Sequence, residues 1–148
     1  MIQIELHLDD DRQLHKQHAY QELRTKILDA AEGKVVRLME NTHSRAPHTV
    51  CLPSVSAYTS HAATSYDVLL SAAPDNTVHL WDLRMNHLGM RFGQHVNRVH
   101  QVGVAFSPCM RYVAVGSEDK NCYIYDIRAG RCLEKLGGHT DVVSCVAY

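Results

Sequence analysis

The chain carries no surplus of either charge: 15 Lys and Arg stand against 16 Asp and Glu, a formal net charge of −1. A non-specific nucleic-acid coat or a binder of anionic membranes needs a basic surplus, so neither is expected. No apolar run approaches the roughly 20 residues of a membrane span. The opening MIQIELHLDDD places acids where a signal peptide needs a basic region before its apolar stretch. An intracellular protein, cytoplasmic or nuclear, is the expectation. The five cysteines (Cys51, Cys109, Cys122, Cys132, Cys145) form no CxxC pair, so no zinc ribbon or thioredoxin-like centre is signalled. Free thiols used as small apolar residues in a reducing compartment are the expected state. There are 11 histidines, and His15 and His18 could share a helix face. Spacing supplies no further ligand, while structural zinc needs four, so neither a metal nor a cofactor is expected. GxSxG, GxxxxGK[ST] and GxGxxG are all missing, which withholds support from hydrolase and nucleotide chemistry.

What is present is a repeat. Sliding the chain by 44 residues lays LLSAAPDNTVHLWDLR (69–84) over VAVGSEDKNCYIYDIR (113–128) without a gap. Asp75 then meets Asp119, Trp81 meets Tyr125, Asp82 meets Asp126 and Arg84 meets Arg128. Phe92-Gly93-Gln94-His95 falls on Leu136-Gly137-Gly138-His139. An offset of 42 lays AAEGKVVRLME (30–40) over AAPDNTVHLWD (72–82), a third and decayed copy. Periods of about 40–45 residues belong to four-stranded propeller blades. In TVHLW, Val78 and Leu80 alternate with Thr77, His79 and Trp81, the period-2 pattern of a strand. Pro74-Asp75-Asn76 and Glu118-Asp119-Lys120 supply turn chemistry between strands. Strands are expected near 35–39, 48–52, 55–59, 67–72, 77–82, 88–92, 102–106, 111–116, 121–127, 131–136 and 142–148. Residues 20–31 read either as decayed blade or as helix. Helical spacing of Leu14, Tyr20, Leu23 and Ile27 after an Asp11 cap favours a helix over 12–30.

NTVHLWDLR, CYIYDIR, LGGHTDVVSCVAY and VAFSP together resemble the WD-repeat family, whose signature pairs Gly-His with Trp-Asp. The resemblance implies an all-β, partial WD40-type β-propeller: two clear blades, one decayed blade and one truncated blade, after a possible N-terminal helix. The expected division is an N-terminal segment, 1–30, and an incomplete propeller domain, 31–148. Propellers close with 4–8 blades, so a partial gene product, splice form or excised fragment is expected, with open strand edges prone to self-association. In the family a Gly-His histidine, a Ser or Thr of the second strand, the turn Asp and the Trp form a buried bonded set. Carried over, the blade motif is Ser71, Asp75 and Trp81, then His95, Asp119 and Tyr125, then His139. No Gly-His precedes Ser71, since the matching region reads Leu52-Pro53. Val115 stands at the Ser or Thr position of the next copy, so no complete set is expected.

Ser71, His95 and an Asp invite a hydrolase reading, but a triad needs an exposed nucleophile and an oxyanion hole. The resemblance implies a non-catalytic scaffold binding other proteins, without nucleic acid or membrane. Two alternatives stand beside it. The paired Trp81-Asp82-Leu83-Arg84 and Tyr125-Asp126-Ile127-Arg128 resemble motifs of substrate receptors in cullin-RING ubiquitin ligases, with Arg84 and Arg128 as contacts. A His- and Cys-rich metal-responsive protein is the other class.

Overall fold

The computed structural model describes residues 2–7, 24–29, 34–39, 43–54 and 63–148 and arranges their strands in three antiparallel sheets. β1 (Ile2–His7), β2 (Arg24–Asp29) and β3 (Val35–Met39) form the first sheet in that order. β4 (Thr49–Cys51), β5 (Val68–Ala73), β6 (Thr77–Asp82) and β7 (His87–Phe92) form the second. β8 (Val104–Phe106), β9 (Tyr112–Val115), β10 (Cys122–Asp126) and β11 (Arg131–Leu136) form the third. In each sheet every strand pairs with the next in sequence. Among the described residues the only helical piece is a 3-10 turn at Ala63–Tyr66.

Period-2 alternation explains how the sheets stack. Leu70 faces Leu80 and Ala72 faces Val78 across the β5–β6 ladder, while Leu69 faces Trp81 and Ser71 faces His79 one residue over. The first set packs on Val113, Val115, Tyr123 and Tyr125 of the third sheet. The second set, through Leu69 and Trp81, packs on Met39 of β3. Both faces of the second sheet are therefore buried, which is why neither carries a charged residue in β5 or in β6 before Asp82. The repeat is written into the backbone as well. Asn76 and Lys120 have φ of 61° and 66°, and Asn86 and Gly130 have 50° and 65°. Each left-handed residue sits at the same point of its hairpin turn, where Asn and Gly are tolerated and Lys is unusual.

The all-β fold and the two hairpins at Asp75 and Asp119 are as expected. Three elements are not. The helix expected over 12–30 is a strand, β2, over its described part; residues 12–23 lie outside the described residues, as does the strand expected at 55–59. β2 is bonded along both edges, to β1 and to β3. Such ladders outweigh the weak propensity of a short isolated helix. β3 also occupies a different strand position from that given by the offset of 42. It lies at the edge of its sheet, and the chain reaches His43 four residues after Met39, as it reaches His95 three residues after Phe92. The strand at 35–39 is where it was expected, but β3 ends its sheet as β7 does, whereas the offset of 42 matches it to the inner strand β6. Finally, residues 142–148 form no ladder. Val143 N–H donates to the Ser117 carbonyl at 3.0 Å, and glycines at 103 and 116 let this segment cross close to their backbone.

Trp81 is 5% exposed and Tyr125 1%, at equivalent positions of adjacent sheets. Trp81→Ala should cost about 3–5 kcal/mol in urea unfolding, the usual range for truncating a packed large ring.

Candidate functional site

The seam between the first two sheets is polar and buried. The chain leaving β3 drops His43 between β5 and β6. Its Nε2 lies 2.8 Å from Ser71 Oγ, and its Nδ1 3.1 Å from both Asp75 Oδ2 and Thr77 Oγ1. Trp81 Nε1–H donates to Ser71 Oγ at 3.0 Å. Asp75 Oδ1 accepts from Thr77 N–H at 3.0 Å and from its hydroxyl at 2.6 Å, and Oδ2 accepts Ser44 N–H at 3.0 Å. In the tautomer that donates Nδ1–H to the ionised Asp75, Nε2 accepts from the Ser71 hydroxyl, whose oxygen is left for Trp81. Burial alone would raise the Asp75 carboxyl. The bonds from His43 and Thr77 outweigh it and hold the group well below the ordinary carboxylate range. The His79 ring stacks on His43 at 4.0 Å between centroids.

A complete bonded set therefore exists, contrary to the expectation. Its histidine is preceded by Thr42, and the Leu52-Pro53 region lies beyond β4, past the point where such a histidine could act. The signal was there at another spacing: Gly33-Lys34-Val35 leads to His43 much as Gly130-Arg131-Cys132 leads to His139. The connectivity from Ser71 through His43 to Asp75 is that of a hydrolase triad. Yet Ser71 is fully buried, and its oxygen already accepts the indole N–H. Substrate has no access to it. The set is a structural pin.

The next seam meets the same demand differently. His95 N–H and Gln94 N–H both donate to the Tyr125 hydroxyl oxygen, at 3.1 and 3.2 Å. That oxygen's own proton goes to His95 Nδ1, 3.1 Å away. With Val115 in place of a hydroxyl residue, His95 Nε2 has no hydrogen-bond partner among the described residues. Asp119 does not take the role of Asp75. It accepts instead from the Tyr123 hydroxyl at 2.7 Å and from Lys135 Nζ at 2.8 Å. Burial lowers the His95 pKa to about 4, against a smaller upward pull from Asp75 and Asp119. His139 is exposed, on a groove lined by Ala114, Cys122, Ile124 and Leu136.

The two arginines of the repeated Asp-x-Arg are not equivalent. Asp82 Oδ1 caps its turn through Arg84 N–H at 2.8 Å, and its carboxylate also holds the Arg84 guanidinium, Nη2 to Oδ2 at 2.8 Å. Asp126 caps likewise through Arg128 N–H at 2.8 Å, but its other oxygen is held by Arg111 Nη2 at 3.2 Å. Among the described residues the Arg128 guanidinium makes no ion pair.

Loops on one rim are tied together. Asn97 donates through its backbone N–H to Asn76 Oδ1 and through Nδ2 to the Ala73 carbonyl, both at 2.9 Å. Val96 N–H donates to Ser117 Oγ at 2.9 Å. The segment after β7 thus bridges the hairpin turns of the second and third sheets. The sequence reads His95-Val96-Asn97-Arg98 as an exposed tip, but His95 and Asn97 are buried; Ser117, also fully buried, was not picked out.

Consecutive meandering sheets, two of them four-stranded, stacked face to face and joined at each seam by a histidine that follows the last strand of the preceding sheet, define a β-propeller built from WD repeats. The family model of the WD domain, G-beta repeat, matches residues 89–126, and the chain belongs to the WD-repeat family. It is 38% identical over 76 residues to the WD repeat-containing protein 26 homolog of Drosophila melanogaster, covering 48% of this chain and 11% of that one. It is 31% identical over 110 residues to Protein Atg16l2 of Mus musculus, covering 71% and 18%. A chain in the crystal structure of a mitotic checkpoint complex superposes with a TM-score of 0.66 at 23% identity, covering 84% of this chain and 34% of that one. This chain thus spans a minor part of the length of each.

Two outcomes follow. His43→Ala strips partners from Ser71 and Asp75 at once and should cost about 3 kcal/mol in urea unfolding, the scale of breaking a buried polar network. His95 is neutral in the fold down to about pH 4, while the unfolded chain protonates it below its usual 6.5. Stability is then full above pH 6.5 and falls as the pH drops toward 4, by about 1 kcal/mol per unit. His95→Gln should flatten that slope in denaturation curves taken across the interval.

Proposed function

We propose that this chain is a non-catalytic scaffold that presents the loops of its sheet rims to protein partners. One observation carries the reading. The side chains with catalytic character, Ser71, His43 and Asp75, are sealed in a structural pin, while the rim loops are held in fixed shapes by buried side chains. Ordered loops on a rigid scaffold are where recognition residues concentrate. Membership of the WD-repeat family supports this, since the relatives named above are not enzymes by name. Docking on a ubiquitin-ligase adaptor through Arg84 and Arg128 would need two open guanidinium forks. Arg84 is engaged by Asp82 through both Nε and Nη2, so that reading is not advanced. For the metal-responsive reading, no cluster of three ligating side chains exists among the described residues, and His15 and His18 lie outside them. Five free cysteines accord with an intracellular setting.

A photo-crosslinking residue placed at Val99, Met85 or Leu133 tests the scaffold in cell extract. Adducts to other proteins should form from the rim positions Val99 and Met85, and not from Leu133 on the outer strand. Absence of protein adducts from both rims would overturn the reading.

A further inference from the structure

We propose that Arg45, Arg98, Val99 and His100 form a docking surface for an acidic peptide segment carrying an apolar side chain. The inference rests on the scaffold reading and names the chemistry of its partner. Glu118 Oε1 accepts three consecutive backbone N–H groups, from Arg98 at 2.8 Å and from Val99 and His100 at 2.7 Å each. One oxygen meeting three successive N–H groups curls the chain into a concave nest. Charge-assisted bonds of this length are strong, so the loop is held in shape before any partner arrives. The same bonds engage one oxygen of the Glu118 carboxylate with backbone dipoles.

Beside this carboxylate the loop presents cationic and apolar side chains. The Arg98 guanidinium and the His100 ring make no hydrogen bond or ion pair among the described residues, and both residues are exposed. Arg45 is drawn up beside them. Its Nη1 donates to the Arg98 carbonyl at 3.0 Å and to the Pro74 carbonyl at 3.4 Å. Those are neutral acceptors, so Arg45 brings a second charge that no described carboxylate compensates. The nearby Asp75 has its oxygens taken by His43, Ser44 and Thr77. Between these groups Val99 stands 80% exposed. A lone exposed valine is ordinary, but this one is fixed on a rigid loop beside two guanidiniums. Planar guanidinium forks match carboxylates in bidentate pairs, and Val99 supplies an aliphatic contact. A protein segment fits better than nucleic acid. The exposed Val99 beside the arginines offers an aliphatic contact that suits an apolar side chain and that a sugar-phosphate backbone does not use.

The test uses the full chain and fluorescence anisotropy, with a fluorescein-labelled peptide of glutamates around a central leucine and its glutamine counterpart. The glutamate peptide should bind and the glutamine peptide should not. Arg45→Gln and Arg98→Ser should each weaken binding by about tenfold or more, the usual effect of losing one partner of a paired charge. Glu118→Gln should also weaken it, through the loop alone, with an unchanged circular dichroism spectrum. No binding of the glutamate peptide, or binding unaltered in the Arg45→Gln, Arg98→Ser double variant, would overturn the proposal. So would a single-stranded oligonucleotide that binds as tightly with the same arginine dependence. The scaffold reading is separable: protein adducts from Val99 or Met85 that persist in the double variant keep it standing while the acidic partner falls.

Discussion

Everything in this fold depends on one constraint: a hairpin turn wedged between stacked sheets hides polar groups that must be paired there. An unpaired buried donor or acceptor costs about as much as the net worth of two ordinary hydrogen bonds. His43 meets that demand in the seam between the first two sheets. It enters from the strand behind and joins the hydroxyl of β5, the carboxylate of the turn and, through Ser71, the indole of β6. The relay does more than satisfy groups. It ties the end of one sheet to the turn of the next, so that apolar stacking of Met39 on Leu69 and Trp81 occurs in one register.

The second seam shows how the same constraint tolerates different residues. Tyr125 replaces the indole and supplies a hydroxyl, which lets it take two backbone N–H groups and still donate to His95. The turn aspartate, with no histidine to bind, swings to Tyr123 and Lys135. Shape is kept while the bonding is rewritten, and one ring nitrogen of His95 is left without a protein partner among the described residues. Burial of His95 therefore links the stability of this seam to pH between its ordinary 6.5 and about 4.

The consequence for function is a separation of inside from outside. Residue types that elsewhere perform acid–base chemistry are consumed in holding sheets together, and exposure decides that outcome more than connectivity does. The triad-like path through Ser71, His43 and Asp75 has good geometry and no access. The rim has the opposite character. Its loops are ordered by buried side chains such as Asn97 and by the carboxylate of Glu118, and the exposed Arg98 and His100 side chains make no hydrogen bond or ion pair among the described residues. Rigid loops with unsatisfied charge suit recognition.

Much was legible from residue order alone. The 44-residue period, the alternation through TVHLW and CYIYD, and the turn residues around Asp75 and Asp119 are local signals, and each was enough to place strands and hairpins. Asp75, Ser71 and Trp81 were assigned to one set by the resemblance to the WD-repeat family, and they lie in one hairpin. Their fourth member was not. His43 is 28 residues from Ser71 and 32 from Asp75, and Thr42 replaces the glycine that marks such histidines elsewhere. Only stacking of the first sheet on the second brings it into place. β2 is the same lesson in secondary structure: its apolar spacing fits a helix when read alone, and two flanking strands, unreadable from local pattern, make it a sheet. The fate of the polar side chains was likewise a tertiary matter. Sequence supplies a serine, a histidine and an aspartate, but whether they meet water, substrate or one another depends on what packs over them. Here it is the neighbouring sheet.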